Sequence, residues 1–87
     1  MKQSEFIWFT KQNLKAEILQ LDNSDVVVKP GGNILFIFEN EKIKVRFVEF
    51  NENYIVPDKG TLRNIYDLYK KTNSESLLYK FCKEKLL

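Results

Sequence analysis

The sequence predicts an α+β fold in the order α-β-β-β-α-α: an N-terminal helix, a three-stranded antiparallel meander and two C-terminal helices packed on one face. Three observations predict it. Ile34–Glu39 and Lys42–Phe47 are β-branched and aromatic arms on either side of Asn40-Glu41, the pattern of a hairpin. Val26-Val27-Val28 followed by Lys29-Pro30-Gly31-Gly32 adds a strand and a tight turn before them. Leu62, Ile65, Tyr66 and Tyr69 recur at helical spacing after the strands end. An apolar sheet layer must be covered, and helices gathered on one face cover it.

Taken in order, Ser4 to Leu21 reads as the first helix, with Ser4 as its N-cap and Ile7, Leu14, Ile18 and Leu21 on one face. Trp8, Phe9, Ala16 and Leu19 project away from that stripe. Either Trp8 and Leu19 pack beneath the C-terminal helix, or they form a partner-binding ridge centred on Trp8, a residue type enriched at binding hot spots. Asp22-Asn23-Ser24-Asp25 is a polar turn. Its spacing does not match a calcium-binding helix–loop–helix. Gly31-Gly32 leads into a strand and lacks the helix and Lys-Ser/Thr of a phosphate-binding loop.

The central hairpin sets its own register. With Asn40-Glu41 as the turn, Phe38 faces Ile43, Phe36 faces Val45 and Ile34 faces Phe47, all on one side of the sheet. A slip by one residue would bury Lys42, Lys44 and Arg46, which costs far more than any turn preference. Val28 opposite Ile34 and Val26 opposite Phe36 would continue the apolar layer. The other side then carries Leu35 and Ile37 against Arg46 and Lys44. Beyond Phe50, Tyr54-Ile55-Val56 either extends the third strand through a bulge or forms a short further piece. Pro57-Asp58-Lys59-Gly60 ends it, Thr61 caps the next helix, and Ser74 caps the last one, with Leu78, Phe81 and Cys82 as its apolar stripe.

Composition narrows the function. Eighty-seven residues suit one domain, and 44% hydrophobic with 30% charged residues excludes a wholly disordered chain. The net charge of +2 is mild for a dedicated nucleic-acid binder, and arginine occurs only at Arg46 and Arg63. There is no histidine, which removes the commonest general base and metal ligand, and Cys82 is the only cysteine. No cofactor or metal site is expected. No signal peptide and no run of about 20 apolar residues is visible, so a cytoplasmic protein with no membrane contact is expected, as monomer or homodimer. The bias toward Lys, Asn, Ile and Phe fits an AT-rich coding source such as a low-GC bacterium or its phages.

One stretch, Val56-Pro57-Asp58-Lys59-Gly60-Thr61-Leu62-Arg63-Asn64-Ile65, resembles the C-terminal signature of HicA-type mRNA-interferase toxins, in which a strand ending in Val-Pro is followed by a Lys-x-Gly-Thr-Leu-Arg-like helix start. The order helix, three strands, helix and the turn Pro30-Gly31-Gly32-Asn33 are similar too. The resemblance implies a fold like that of a double-stranded-RNA-binding domain and a place in a toxin–antitoxin pair. The family's catalytic histidine lies near the start of the second strand, where this chain has Gly32-Asn33-Ile34-Leu35. The resemblance therefore implies an RNA-binding domain without the ribonuclease chemistry.

No catalytic set can be assembled from the residues alone. Glu39 and Glu41 flank a solvated turn, and Cys82 has no histidine to activate it. Binding is the better reading. Lys42, Lys44 and Arg46 repeat about every 7 Å along one strand, near the spacing of backbone phosphates, and Lys59, Arg63 and Lys29 are candidates to extend that basic set. Trp8 with Leu19 forms the second candidate surface. The expectation is a non-enzymatic, stoichiometric binding or inhibitor protein of phage or mobile-element type. Its partner would be a protein that handles nucleic acid. A degenerate HicA-like RNA-binding domain or toxin is the alternative.

Overall fold

The computed structural model describes residues 1–20 and 25–86. Their strands form one antiparallel sheet in sequential order: β1 (Glu17–Gln20), β2 (Val26–Gly31), β3 (Ile34–Glu39), β4 (Lys42–Phe47) and β5 (Glu52–Val56). Helix α1 (Gln3–Asn13) precedes the sheet, and α2 (Lys59–Thr72) and α3 (Glu75–Lys85) follow it.

The three-stranded meander is therefore corrected to a five-stranded sheet, with one strand added at each edge. On the N-terminal side the expected helix from Ser4 stops at Asn13, and Leu14 is extended, with φ −132° and ψ 140°. The Asn13 side chain turns back to donate to the Phe9 carbonyl at 2.8 Å. The periodicity of Leu14 and Ile18 was ambiguous because short apolar runs serve a strand as well as a helix. In the strand, Ile18 pairs with Val28 and Leu19 with Val27. Ser4 is not the cap either: Lys2 holds that place, with no side-chain hydrogen bond. Leu21 and the turn residues 22–24 lie outside the described residues. At the other edge, Glu52–Val56 pairs along β4, from Phe47 opposite Glu52 to Ile43 opposite Val56.

The central register follows the alternation: Ile34 pairs with Phe47, Phe36 with Val45 and Phe38 with Ile43. The β2–β3 register is displaced by two residues from expectation. Val28 lies opposite Phe36 and Val26 opposite Phe38, because the ladder shifts between Val28 and Gly31. Pro30, which has no N–H to donate, falls within that irregularity. A displacement by two keeps the same side chains facing the core.

Ile34, Phe36, Phe38, Ile43, Val45 and Phe47 are buried beneath the helices. Phe6 of α1 stacks on Phe38 with ring centroids 5.6 Å apart, and Phe36 meets Tyr66 of α2 edge-on at 5.0 Å. Buried Thr10 donates to the Phe6 carbonyl at 2.7 Å, and its hydroxyl lies 2.7 Å from that of Tyr66, which is left as the donor in that pair. Burial pushes the Tyr66 phenol well above its ordinary range and keeps it protonated for that bond. Glu5 meets Lys59 near the start of both helices, and Thr10 meets Tyr66 further along, so α1 and α2 run side by side in the same direction.

Helix α2 is capped by Asp58, which accepts from the Thr61 N–H at 2.7 Å, so Thr61 is one turn inside the helix rather than its cap. Ser74 caps α3 as expected, and α3 sends Leu78 and Cys82 into the core. Glu75 of α3 also accepts the Asn33 backbone N–H at 2.7 Å, which ties α3 to the β2–β3 turn. Burial pushes the Cys82 thiol up to about 12.

The β3–β4 turn holds Asn40 and Glu41 at φ +52° and +63°. Both central residues are left-handed, as in the two-residue turns that match strand twist. Asn tolerates this backbone; glutamate does so at a cost of roughly 1 kcal/mol. Glu41→Gly should therefore raise stability by about 1 kcal/mol in chemical denaturation. Phe36→Ala should cost about 3–5 kcal/mol in the same assay.

Candidate functional site

The side of the sheet turned away from the helices is a continuous surface. Leu19, Val27, Ile37, Lys44 and Ile55 form one row across the five strands, each paired with the next. Leu35, Arg46 and Asn53 form the row beside it. Leu19 and Ile55 are 42% and 48% exposed, while Val27, Leu35 and Ile37 are half-buried by their neighbours. Alternation explains the row: on β2 to β5 each of these residues lies next to buried ones on the same strand, and on the edge strand β1 Leu19 follows the partly buried Ile18.

Charge on this face is unevenly matched. Glu17 stands opposite Lys29 and Glu39 opposite Lys42, so two cations have a carboxylate across the ladder. Lys44 lies between Ile37 and Ile55, and Arg46 between Leu35 and Asn53. Among the described residues neither forms a salt bridge. The Arg46 guanidinium donates to Asn51 Oδ1 at 2.8 Å and to Asn53 Oδ1 at 3.2 Å. Neutral amides fix its position and leave its charge uncompensated.

The other candidates sit on the helical side. Trp8 is 58% exposed, so it does not pack beneath the C-terminal helix, and neither does Leu19. Trp8, Phe9, Lys59, Gly60 and Arg63 line a cleft of about 440 Å³ between α1 and the start of α2. Lys59 Nζ lies 5.3 Å and the Arg63 guanidinium 5.9 Å from the Phe9 ring centroid, within the range of cation–π attraction. The seven sequence candidates thus divide. Leu19, Lys42, Lys44 and Arg46 share the open sheet face, and Trp8, Lys59 and Arg63 share the helical cleft. Lys42 and Lys59 both line a third cleft at the end of the sheet, where Glu5, Glu41 and Asp58 also contribute. Sequence reasoning missed Val27, Ile55, Asn51 and Asn53. The alternation Val26-Val27-Val28 held the signal for Val27; the other three depended on recognising β5.

No family model, curated protein or solved structure matches the chain. The stretch Val56–Ile65 that resembles HicA-type toxins forms the end of β5, the Asp58 cap and the start of α2. The sheet has two more strands than that resemblance implies. No helix among the described residues is long and apolar enough to cross a membrane.

One further cluster joins titratable groups. Glu52 accepts hydrogen bonds from Tyr54 and, at 2.9 Å, from Tyr79 of α3. Phe50 stacks on Tyr79 at 4.0 Å, and Phe47 meets it edge-on. The two phenols hold the Glu52 carboxyl below its ordinary value of 4.5, the Tyr54 bond contributing most. The same bond raises the Tyr54 phenol well above its usual range. Neither group is a proton carrier at neutral pH; the cluster fastens α3 to β5. Because the folded carboxyl titrates lower than the unfolded one, its contribution is complete above the unfolded value and is lost as pH falls through the folded value. Melting temperatures measured across pH should show Glu52→Gln destabilised at pH 7, with the gap to the native chain closing below pH 4.5.

Proposed function

We propose that the chain is a non-catalytic binding protein that acts stoichiometrically, and that the open sheet face is its docking surface. One observation carries the reading: five aliphatic side chains, Leu19, Val27, Leu35, Ile37 and Ile55, surround Lys44 and Arg46 on a face that no described element covers. Apolar area of this kind on a small domain marks an interaction site. The occupant that fits is a protein surface with an apolar strip and carboxylates opposite Lys44 and Arg46. Such a partner gains the apolar burial and satisfies two cations whose charge is unmatched within the face.

The face is a poor match for bases. Its large side chains are aliphatic, and stacking of unpaired bases needs aromatic rings. A nucleic-acid-handling protein remains the proposed class of partner. Enzymatic turnover finds no support in the residues: histidine is absent and Cys82 is buried with its thiol held protonated.

The test compares the native chain with a Lys44→Glu/Arg46→Glu variant in affinity capture from a bacterial lysate, with nuclease treatment in every arm. A saturable protein complex should survive nuclease and weaken at least tenfold in the double variant, roughly the effect of reversing charges at an interface. Arg46→Glu also gives up the bonds to Asn51 and Asn53, so circular dichroism checks that the double variant is folded. Capture that disappears with nuclease, or that ignores the double variant, would remove the sheet face as the docking surface. Multiple turnover in an RNA-cleavage assay would remove the non-catalytic reading.

A further inference from the structure

Charge is not shared evenly between the two sides of the molecule. Residues 2–15 and 58–72, which contain α1 and α2, carry seven cations and three carboxylates, whereas the whole chain has a net charge of +2. Each of the three carboxylates is engaged: Glu5 with Lys59 at 3.3 Å, Asp67 with Lys70 at 3.4 Å, and Asp58 with the first turn of α2. Lys11, Lys15 and Arg63 form no salt bridge among the described residues.

These cations line two separate clefts along the α1–α2 seam. At one end, Trp8, Phe9, Lys59 and Arg63 line the 440 Å³ cleft. At the other, Lys11, Lys15, Tyr69 and Lys70 line a cleft of about 550 Å³ whose lining includes no carboxylate. The parallel course of α1 and α2 places the two clefts along one line, about 16 Å from Lys59 to Lys70 at 1.5 Å rise per residue. Trp8, 58% exposed, stands beside that line. Cations flanking an exposed indole are the two elements that single-strand binding requires: charge for the backbone and a flat apolar ring for a base.

We propose that the α1–α2 seam binds single-stranded nucleic acid, with a base stacked on Trp8 and backbone phosphates against Arg63, Lys11 and Lys15. This surface is on the opposite side of the sheet from the docking face, so the two can be occupied together. It also stands or falls separately from that reading.

Trp8 is the only tryptophan, so its emission reports on the seam directly. Titrating the full chain with a (dT)10 oligonucleotide should quench Trp8 emission to saturation. Binding read by anisotropy of a labelled (dT)10 should weaken at least tenfold for Trp8→Ala, in line with the loss of one stacked base. It should weaken similarly for Lys11→Glu/Arg63→Glu. Lys80→Glu, an exposed α3 change that alters net charge alone, should have a much smaller effect. The logarithm of affinity should fall with the logarithm of salt with a slope of about −2, as expected when three phosphates are neutralised. Circular dichroism checks that each variant is folded. Absence of quenching, affinity unaffected by Trp8→Ala, or equal competition by polyglutamate would each overturn the proposal, the last pointing to an acidic protein segment instead.

Discussion

Phe36 opposite Val45 is the pairing on which the rest of the molecule depends. It lies at the centre of the sheet, Phe36 packs perpendicular to the Tyr66 ring, and it commits every other residue of β3 and β4 to one face. The commitment is electrostatic as much as apolar. Moving the ladder by one residue would push Lys42, Lys44 and Arg46 beneath three helices, where unpaired cations are not tolerated. Once that register holds, helices can cover only the aromatic side. The surface left outside is then whatever the alternate positions encode: a row of aliphatics interrupted by two cations.

The parts of the fold that were legible in the sequence are those whose periodicity has a single solution. The β3–β4 hairpin could be registered residue by residue because its second arm alternates apolar with basic. Helix α2 carried an unbroken spacing of Leu62, Ile65, Tyr66 and Tyr69. The edges were not legible in the same way. Leu14 and Ile18 are four apart, a spacing that puts two side chains on one side of a helix and equally of an extended segment, which is what they form, with Leu14 before β1 and Ile18 within it. Its partner, β2, could be assigned its inward Val26 and Val28, but its register was displaced by the irregularity around Pro30. At the far edge, the four-residue turn Val48–Asn51 hides β5 because Asn51 adopts φ +52°, a left-handed backbone that Asn tolerates without the glycine that usually signals such a bend.

The candidate surfaces divided for the same reason. Lys42, Lys44 and Arg46 were placed together by strand periodicity, and they do share a face. Trp8 and Leu19 were joined only by a helix that ends between them. Their separation puts Leu19 with the sheet residues and Trp8 with Lys59 and Arg63. The direction of the helices adds a second constraint on charge. Parallel α1 and α2 aim two helix C-termini, each with about half a negative charge, at the same end of the molecule. Lys11, Lys15, Lys70 and Lys71 offset that field. The cations of the seam thus serve the fold before any ligand arrives, which explains how a chain with little excess charge sustains a strongly basic side.

Cys82 adds a property of another kind. Its sulfur is shut away beneath α3, and α3 is held by the Tyr79 hydroxyl donating to Glu52 at one point and by Glu75 accepting the Asn33 N–H at another. A thiol in that setting is inert to alkylating reagents until the helix lifts. The rate at which such a reagent marks the chain is therefore a clock for the departure of α3 alone, and comparing it with amide exchange in β3 distinguishes a terminal helix that breathes from a fold that opens all at once.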